Sequence, residues 1–231
     1  MKKVTLIIIF LFSCLMLSAQ SGFIKVSKGK VVEGDFFKSK LYILPDFTDA
    51  RIKFTNGDIY EGKVNIHTLS QTLRFLDAQG DTLAAADEKL VESVSAGKVL
   101  FVKVNNQYVQ VIDTDGYTSL VISRTLHIGA ERIEGAYGIK NDVSSIQKVE
   151  IKSFNSKIEN VISDATLAFS YLDNLLLANR GKLFLVTKRT LQRFFPSQKA
   201  FIEEYYSKNN IKQENREEII TLFKQILSNN L

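Results

Sequence analysis

The chain is poor in cysteine, proline and histidine, and it has no tryptophan. Its 231 residues include one Cys, two Pro and two His. The cysteine, Cys14, lies inside an N-terminal apolar run, so a chain cut after Ala19 has none. Such a chain needs no oxidative folding and supports neither thiol catalysis nor a thiolate metal site. His67 and His127 stand far apart in the sequence, and neither has a second His or Cys at ligand spacing. A recognised zinc motif is therefore absent. Pro45 and Pro196 fall outside every segment that reads as a strand, as a strand interior requires. No apolar run reaches the roughly 20 residues that a spanning helix needs.

What is present begins with the leader. Met1-Lys2-Lys3 is a basic head, Val4 to Leu17 is apolar, and Leu17-Ser18-Ala19 is a small-residue site ahead of Gln20. This pattern predicts a secretory signal peptide over 1–19, and hence an exported protein, periplasmic or extracellular. Leu11-Phe12-Ser13-Cys14 loosely matches a lipoprotein box, but Phe12 is too large there and the apolar run continues past Cys14. Lipid anchoring through Cys14 is the alternative.

Charge divides the rest unevenly. Residues 20–187 hold 20 basic and 20 acidic side chains, whereas residues 188–231 hold 8 and 5. The mildly basic tail reads as a solvated helical face. Aromatics beside cations, as in Arg193-Phe194-Phe195 and Tyr205-Tyr206, would suit single-strand stacking. Helix packing explains them without it, and no nucleic-acid partner is expected.

From residue 20 to about 165 the sequence reads as short strands with turn punctuation. Arg51–Phe54 and Ile59–Val64 alternate around Asn56-Gly57, a hairpin signal in which both turn residues take positive φ. Further strands are expected at Thr72–Leu76, Thr82–Ala84, Leu90–Val94, Val99–Val104, Gln107–Ile112 and Tyr117–Ser123. The last three flank turns at Asn105-Asn106 and Asp113–Gly116. Residues 128–165, with Gly129, Gly135 and Gly138, predict an irregular excursion. Residues 166–187 predict connecting strands or a linker, the strands near Ala168–Tyr171 and Lys182–Val186, around Asn179-Arg180-Gly181. Residues 188–231 change to helical period. Thr187 is an N-cap candidate for Lys188–Phe195, Pro196 stops that helix, and Ser197 caps the next. Ile219, Ile220, Leu222, Phe223, Ile226 and Leu227 form an apolar stripe, expected to dock against the neighbouring helices or the β domain, with a partner protein as the alternative.

Three of these stretches together suggest a group. The leader ending Leu-Ser-Ala-Gln at 17–20, the run Leu41–Phe47 followed by Ile52–Gly62, and the Thr187–Pro196 segment with Lys199, Ile202 and Asn209 resemble secreted, uncharacterised proteins of Bacteroidetes-type bacteria. The resemblance implies a source and an architecture: a signal peptide, a β-rich domain and a short helical C-terminal segment. It implies no activity, cofactor or catalytic residue.

Chemistry-bearing motifs are weak. There is no Gly-x-Ser-x-Gly elbow to seat a nucleophile. Asp113-Thr114-Asp115-Gly116 begins like a calcium loop, but position 12 is Arg124 rather than Glu, so a turn is expected. Gly135-Ala136-Tyr137-Gly138 lacks the Lys-Ser/Thr of a phosphate loop. Glu33, Asp58 and Glu61 read as surface charges rather than a glycosidase pair. The expected fold is α+β and mainly β: an antiparallel meander closing as a barrel or sandwich, then the C-terminal helices. The expected function is a non-enzymatic binding or interaction module of the envelope, its partner another envelope protein or a surface polymer. The alternative is a cryptic hydrolase of envelope polymers. No catalytic, cofactor or metal residue is assigned.

Overall fold

Turn chemistry sets the strand boundaries. The computed structural model describes residues 21–28, 30–85, 88–134, 140–142, 153–154, 157–158, 165–209, 211 and 215–229. The leader with Cys14, and Gly135–Gly138, lie outside these. In chain order the strands are β1 (Ser21–Ser27), β2 (Lys30–Glu33), β3 (Thr48–Phe54), β4 (Ile59–His67), β5 (Thr72–Leu76) and β6 (Thr82–Ala84). There follow β7 (Val91–Ala96), β8 (Val99–Val104), β9 (Gln107–Thr114), β10 (Thr118–Glu134) and β11 (Lys140–Asp142). The last four are β12 (Ser153–Phe154), β13 (Lys157–Ile158), β14 (Ala165–Asn179) and β15 (Lys182–Leu185). A short helix α1 (Asp35–Ser39) follows β2, and α2 (Lys188–Phe194), α3 (Lys199–Asn209) and α4 (Arg216–Ser228) end the chain.

Asn105 and Asn106 have φ of 50° and 62°, and Arg180 and Gly181 have 48° and 71°. Both pairs make two-residue hairpins, linking β8 to β9 and β14 to β15, with the positive φ values that match the twist of their strands. The Asn56-Gly57 turn differs from expectation. Only Gly57 is left-handed, with φ of 90°. Asn56 instead uses its side chain: Asp58 N donates to Asn56 Oδ1 at 3.0 Å, an Asx-type closure. The turn expected at Asp113–Gly116 lies further along: Asp113 and Thr114 end β9, paired with Leu120 and Ser119, and residues 115–117 make the turn, in which Asp115 Oδ1 accepts from Tyr117 N and Thr118 N.

These hairpins build one antiparallel sheet with the path β12-β13-β2-β1-β14-β10-β9-β8-β7-β3-β4-β5-β6; β11 adds to β10, and β15 to β14. The expected closure into a barrel is corrected. The path has two free ends, and the end strands β6 and β12 are three and two residues long, too short to form a closing ladder. The sheet does curl: Leu126 N on β10 donates to Thr68 O, beyond β4, at 3.2 Å. Of the expected irregular excursion at 128–165, the first part is strand, since β10 continues to Glu134, with its register against β14 shifted between Ile128 and Glu131; most of residues 135–164 lies outside the described residues.

One face of β10 and β14 organises the core. Side chains alternate across a strand, so Leu120, Ile122, Arg124 and Leu126 share a face of β10, as Leu167 through Leu177 do at odd positions of β14. At one end of this ribbon Leu126, Leu167, Phe169 and Tyr171 pack under Phe37 of α1 and Leu41. At the other, Leu120, Leu175 and Leu177 pack under Leu191, Phe195, Ile202, Ile219, Leu222, Phe223 and Ile226 of the terminal helices. The apolar stripe of α4 therefore docks in cis. Thr187 caps α2 through a reciprocal box with Thr190, and Pro196 starts a 3-10 turn that leads into α3. A third cluster, with Ile52, Val64, Leu73, Phe101 and Tyr108, fills the curl of β3–β9.

Candidate functional site

Between the two packed ends of the β10–β14 ribbon the apolar rows break. Arg124 interrupts Leu120, Ile122 and Leu126, and Asp173 interrupts Tyr171 and Leu175. The two residues face each other directly in the strand register. Arg124 Nε donates to Asp173 Oδ2 at 3.3 Å, and Arg124 Nη1 donates to Gln110 Oε1 at 2.8 Å. Arg216, the first residue of α4, donates from Nη2 to Asp173 Oδ1 at 2.9 Å and also to the Asp173 main-chain oxygen. A cleft of about 590 Å³ opens over Gln110, Arg124 and Asp173, its other wall formed by residues 38–40 and 42–45. That volume lies in the usual range for small-molecule sites.

The 38–45 wall has no regular secondary structure over most of its length, yet it is firmly held. Asn65, 1% exposed, accepts from Leu44 N at 3.0 Å and donates to Leu44 O at 2.9 Å. Ile43 N donates to Ile66 O at 3.0 Å and Thr68 N to Leu41 O at 2.9 Å. The hydroxyl of buried Thr68 donates to Lys40 O. Buried amide and hydroxyl groups used in this way fix backbone that has no ladder of its own. Gln71 braces the opposite side. Its Nε2 donates to Thr68 O and to Arg124 O at 2.8 and 2.9 Å, and its Oε1 accepts from Tyr108 N at 3.0 Å. Both walls are thus set before any ligand arrives.

Lys40 projects along this wall. Its Nζ lies 5.5 Å from the Phe36 ring centroid and 5.4 Å from that of Tyr171, within cation–π range. Lys38 lies further out, with Asp35 3.9 Å away, a solvent-screened pair. Tyr171 holds its proton more tightly than usual, first because it is buried and then because Asp173 is near. The Tyr42 hydroxyl is likewise shifted up by burial.

The histidines do not meet here. His67 is buried at the end of β4, where its Nδ1 lies 2.9 Å from Ser70 Oγ and accepts from Ser70 N at 3.2 Å. His127 Nε2 contacts Thr125 Oγ1 at 3.1 Å. Glu131 follows His127 by four residues, but on a strand such a step is about 13 Å. Among the described residues no group of three His, Cys, Asp or Glu is placed to hold a metal. A second polar cluster is structural. Glu88 accepts from Tyr108 OH at 2.8 Å and Lys103 Nζ at 2.9 Å, and from Leu73 N, tying the 3-10 turn at Glu88–Leu90 to β5, β8 and β9. Burial and the Glu88 charge push the Tyr108 pKa far up.

Sequence motifs singled out none of Lys40, Gln110, Arg124, Tyr171 or Asp173. One signal was available. A cation within Leu-x-Ile-x-Arg-x-Leu and a carboxylate within Leu-x-Phe-x-Tyr-x-Asp-x-Leu each occupy a core-facing place in an alternating row. The two anomalies signify a site only once the register pairs them.

No family model matches the chain, and neither a curated protein nor a solved structure does. Among the described residues no helix is long and apolar enough to cross a membrane.

Proposed function

We propose that this chain is a non-enzymatic binding module of the cell envelope, exported by its leader, and that the Arg124–Asp173 cleft is its ligand site. The carrying observation is the cleft itself. Two charged residues replace core-facing apolar positions, and hydrogen bonds from Asn65, Thr68 and Gln71 hold both walls. Burying charge on a sheet face has a desolvation cost, and a site that binds polar ligands gives that cost a use. The lining supports binding better than hydrolysis. Among the described residues its only aliphatic hydroxyl is Ser39, and neither His67 nor His127 lines it to act as a base. The proposed partner is a polar constituent of the envelope.

The test is a ligand screen on the processed chain by amide NMR, paired with an assay of polymer turnover. Shifts centred on Lys40–Pro45, Gln110, Arg124 and Asp173, without release of fragments from peptidoglycan or surface polysaccharide, support the module. Catalytic release of such fragments overturns it in favour of a hydrolase. N-terminal sequencing of exported protein that begins at Gln20 supports the proposed leader; an acylated Cys14 replaces a free protein with a tethered one.

A further inference from the structure

Charge in the cleft is one-sided. Lys38, Lys40 and Arg124 line it, and among the described residues Asp173 is its sole lining carboxylate. That carboxylate is already committed, with Oδ2 to Arg124 and Oδ1 to Arg216. Two guanidinium groups on one carboxylate leave an excess of positive charge where they meet. Arg124 keeps Nη2 outside both of its side-chain bonds. Lys40 is held over two aromatic rings, and among the described residues no carboxylate lies within ion-pair distance of its ammonium. A cation steadied by ring faces is positioned yet not neutralised, and charge-assisted hydrogen bonds to an oxyanion are the strong kind.

We infer that the cleft binds a small molecule through a carboxylate or phosphate group, received between Lys40 and Arg124. This inference rests on the cleft being the ligand site. Tyr42 and Ile43 on the wall give the body of that molecule an apolar surface to lie against. The cleft has room for a group of roughly one or two sugar rings, within the range of small-molecule sites.

The experiment titrates the processed chain at low ionic strength with glucuronate, glucose 1-phosphate, inorganic phosphate and neutral glucose, by calorimetry and amide NMR. Glucuronate or glucose 1-phosphate is expected to bind and to shift Lys40, Gln110 and Arg124 amides, with glucose at least about tenfold weaker. Added salt should weaken binding. Lys40→Gln should reduce affinity about tenfold, Lys40→Arg should retain most of it, and Lys63→Gln, an exposed charge on β4, should change nothing. Preference between the two sugar acids identifies carboxylate or phosphate as the group received. Glucose binding in the cleft as tightly as the acids overturns the anion assignment but leaves the cleft as a site. Acid binding that shifts other surfaces and ignores Lys40→Gln overturns both. Absence of binding by every anionic probe overturns the anion assignment, and the wider ligand screen then decides the cleft.

Discussion

His67 makes the protein's stability fall with mild acid, by an amount that can be worked out. The ring is 3% exposed, meets the Tyr42 ring edge-on at a centroid distance of 5.4 Å, and accepts a hydrogen bond at Nδ1 from Ser70 N. A proton on Nδ1 would remove that acceptor. Burial and, secondarily, Arg74 lower its pKa from 6.5 to about 4. The unfolded chain therefore takes up the proton first. The stability due to the neutral ring is fully present above about pH 6.5, falls as pH drops, and is gone below about pH 4. Linkage gives a loss of about 0.8 kcal/mol at pH 6 and about 2 kcal/mol at pH 5 relative to pH 7.5. Other parts of the chain also respond to pH, so the quantity to measure is a difference. Urea unfolding of wild type and His67→Gln at pH 7.5, 6 and 5 provides it. The wild-type advantage should shrink by about 2 kcal/mol between the extremes. A constant difference would show that His67 is protonated in the fold or solvated, and would refute the reasoning.

Three further outcomes can be checked by denaturant midpoints. Phe223→Ala removes a fully buried ring packed edge-on against Phe195 at 5.6 Å, and should destabilise by about 3–5 kcal/mol. Glu88→Gln leaves Lys103 and Tyr108 without a charged acceptor, and should cost about 2–3 kcal/mol with the fold retained. Gly34→Ala places a Cβ 2.7 Å from Ile24 Cγ2 at a backbone φ of 140°, and should cost about 1–3 kcal/mol.

Local chemistry was readable and long-range geometry was not. Asn105-Asn106, Arg180-Gly181, the Thr187 cap and the α4 stripe are decided by neighbours in sequence, and the structure places them where propensity and period put them. The openness of the sheet depends on which strands become edges, and β6 and β12 are edges because the chain leaves them short. The path of residues 38–45 depends on Asn65 and Thr68, polar residues near the end of β4 whose reach across to another segment has no local signature. The cleft was hidden for the same reason. Arg124 and Asp173 look like isolated irregularities until β10 and β14 are aligned, and Arg216 joins them only because α4 docks.

The pairing of the first strand has a consequence for how the chain matures. β1 lies between β2 and β14, with Ser21 opposite Ser170 and Val26 opposite Ala165. A chain delivered N-terminus first presents β1 at the outset and its central partner near the end. Until β14 arrives, β1 has only the four-residue β2 beside it. Local hairpins from β3 to β9 can form meanwhile, since their contacts are near in sequence. Final assembly waits for the C-terminal third, which brings β14, the helices and Asp173 together. A chain that ends before β14 thus lacks the long partner of β1 and the Asp173 side of the cleft, so the cleft is completed only in the same step as the sheet.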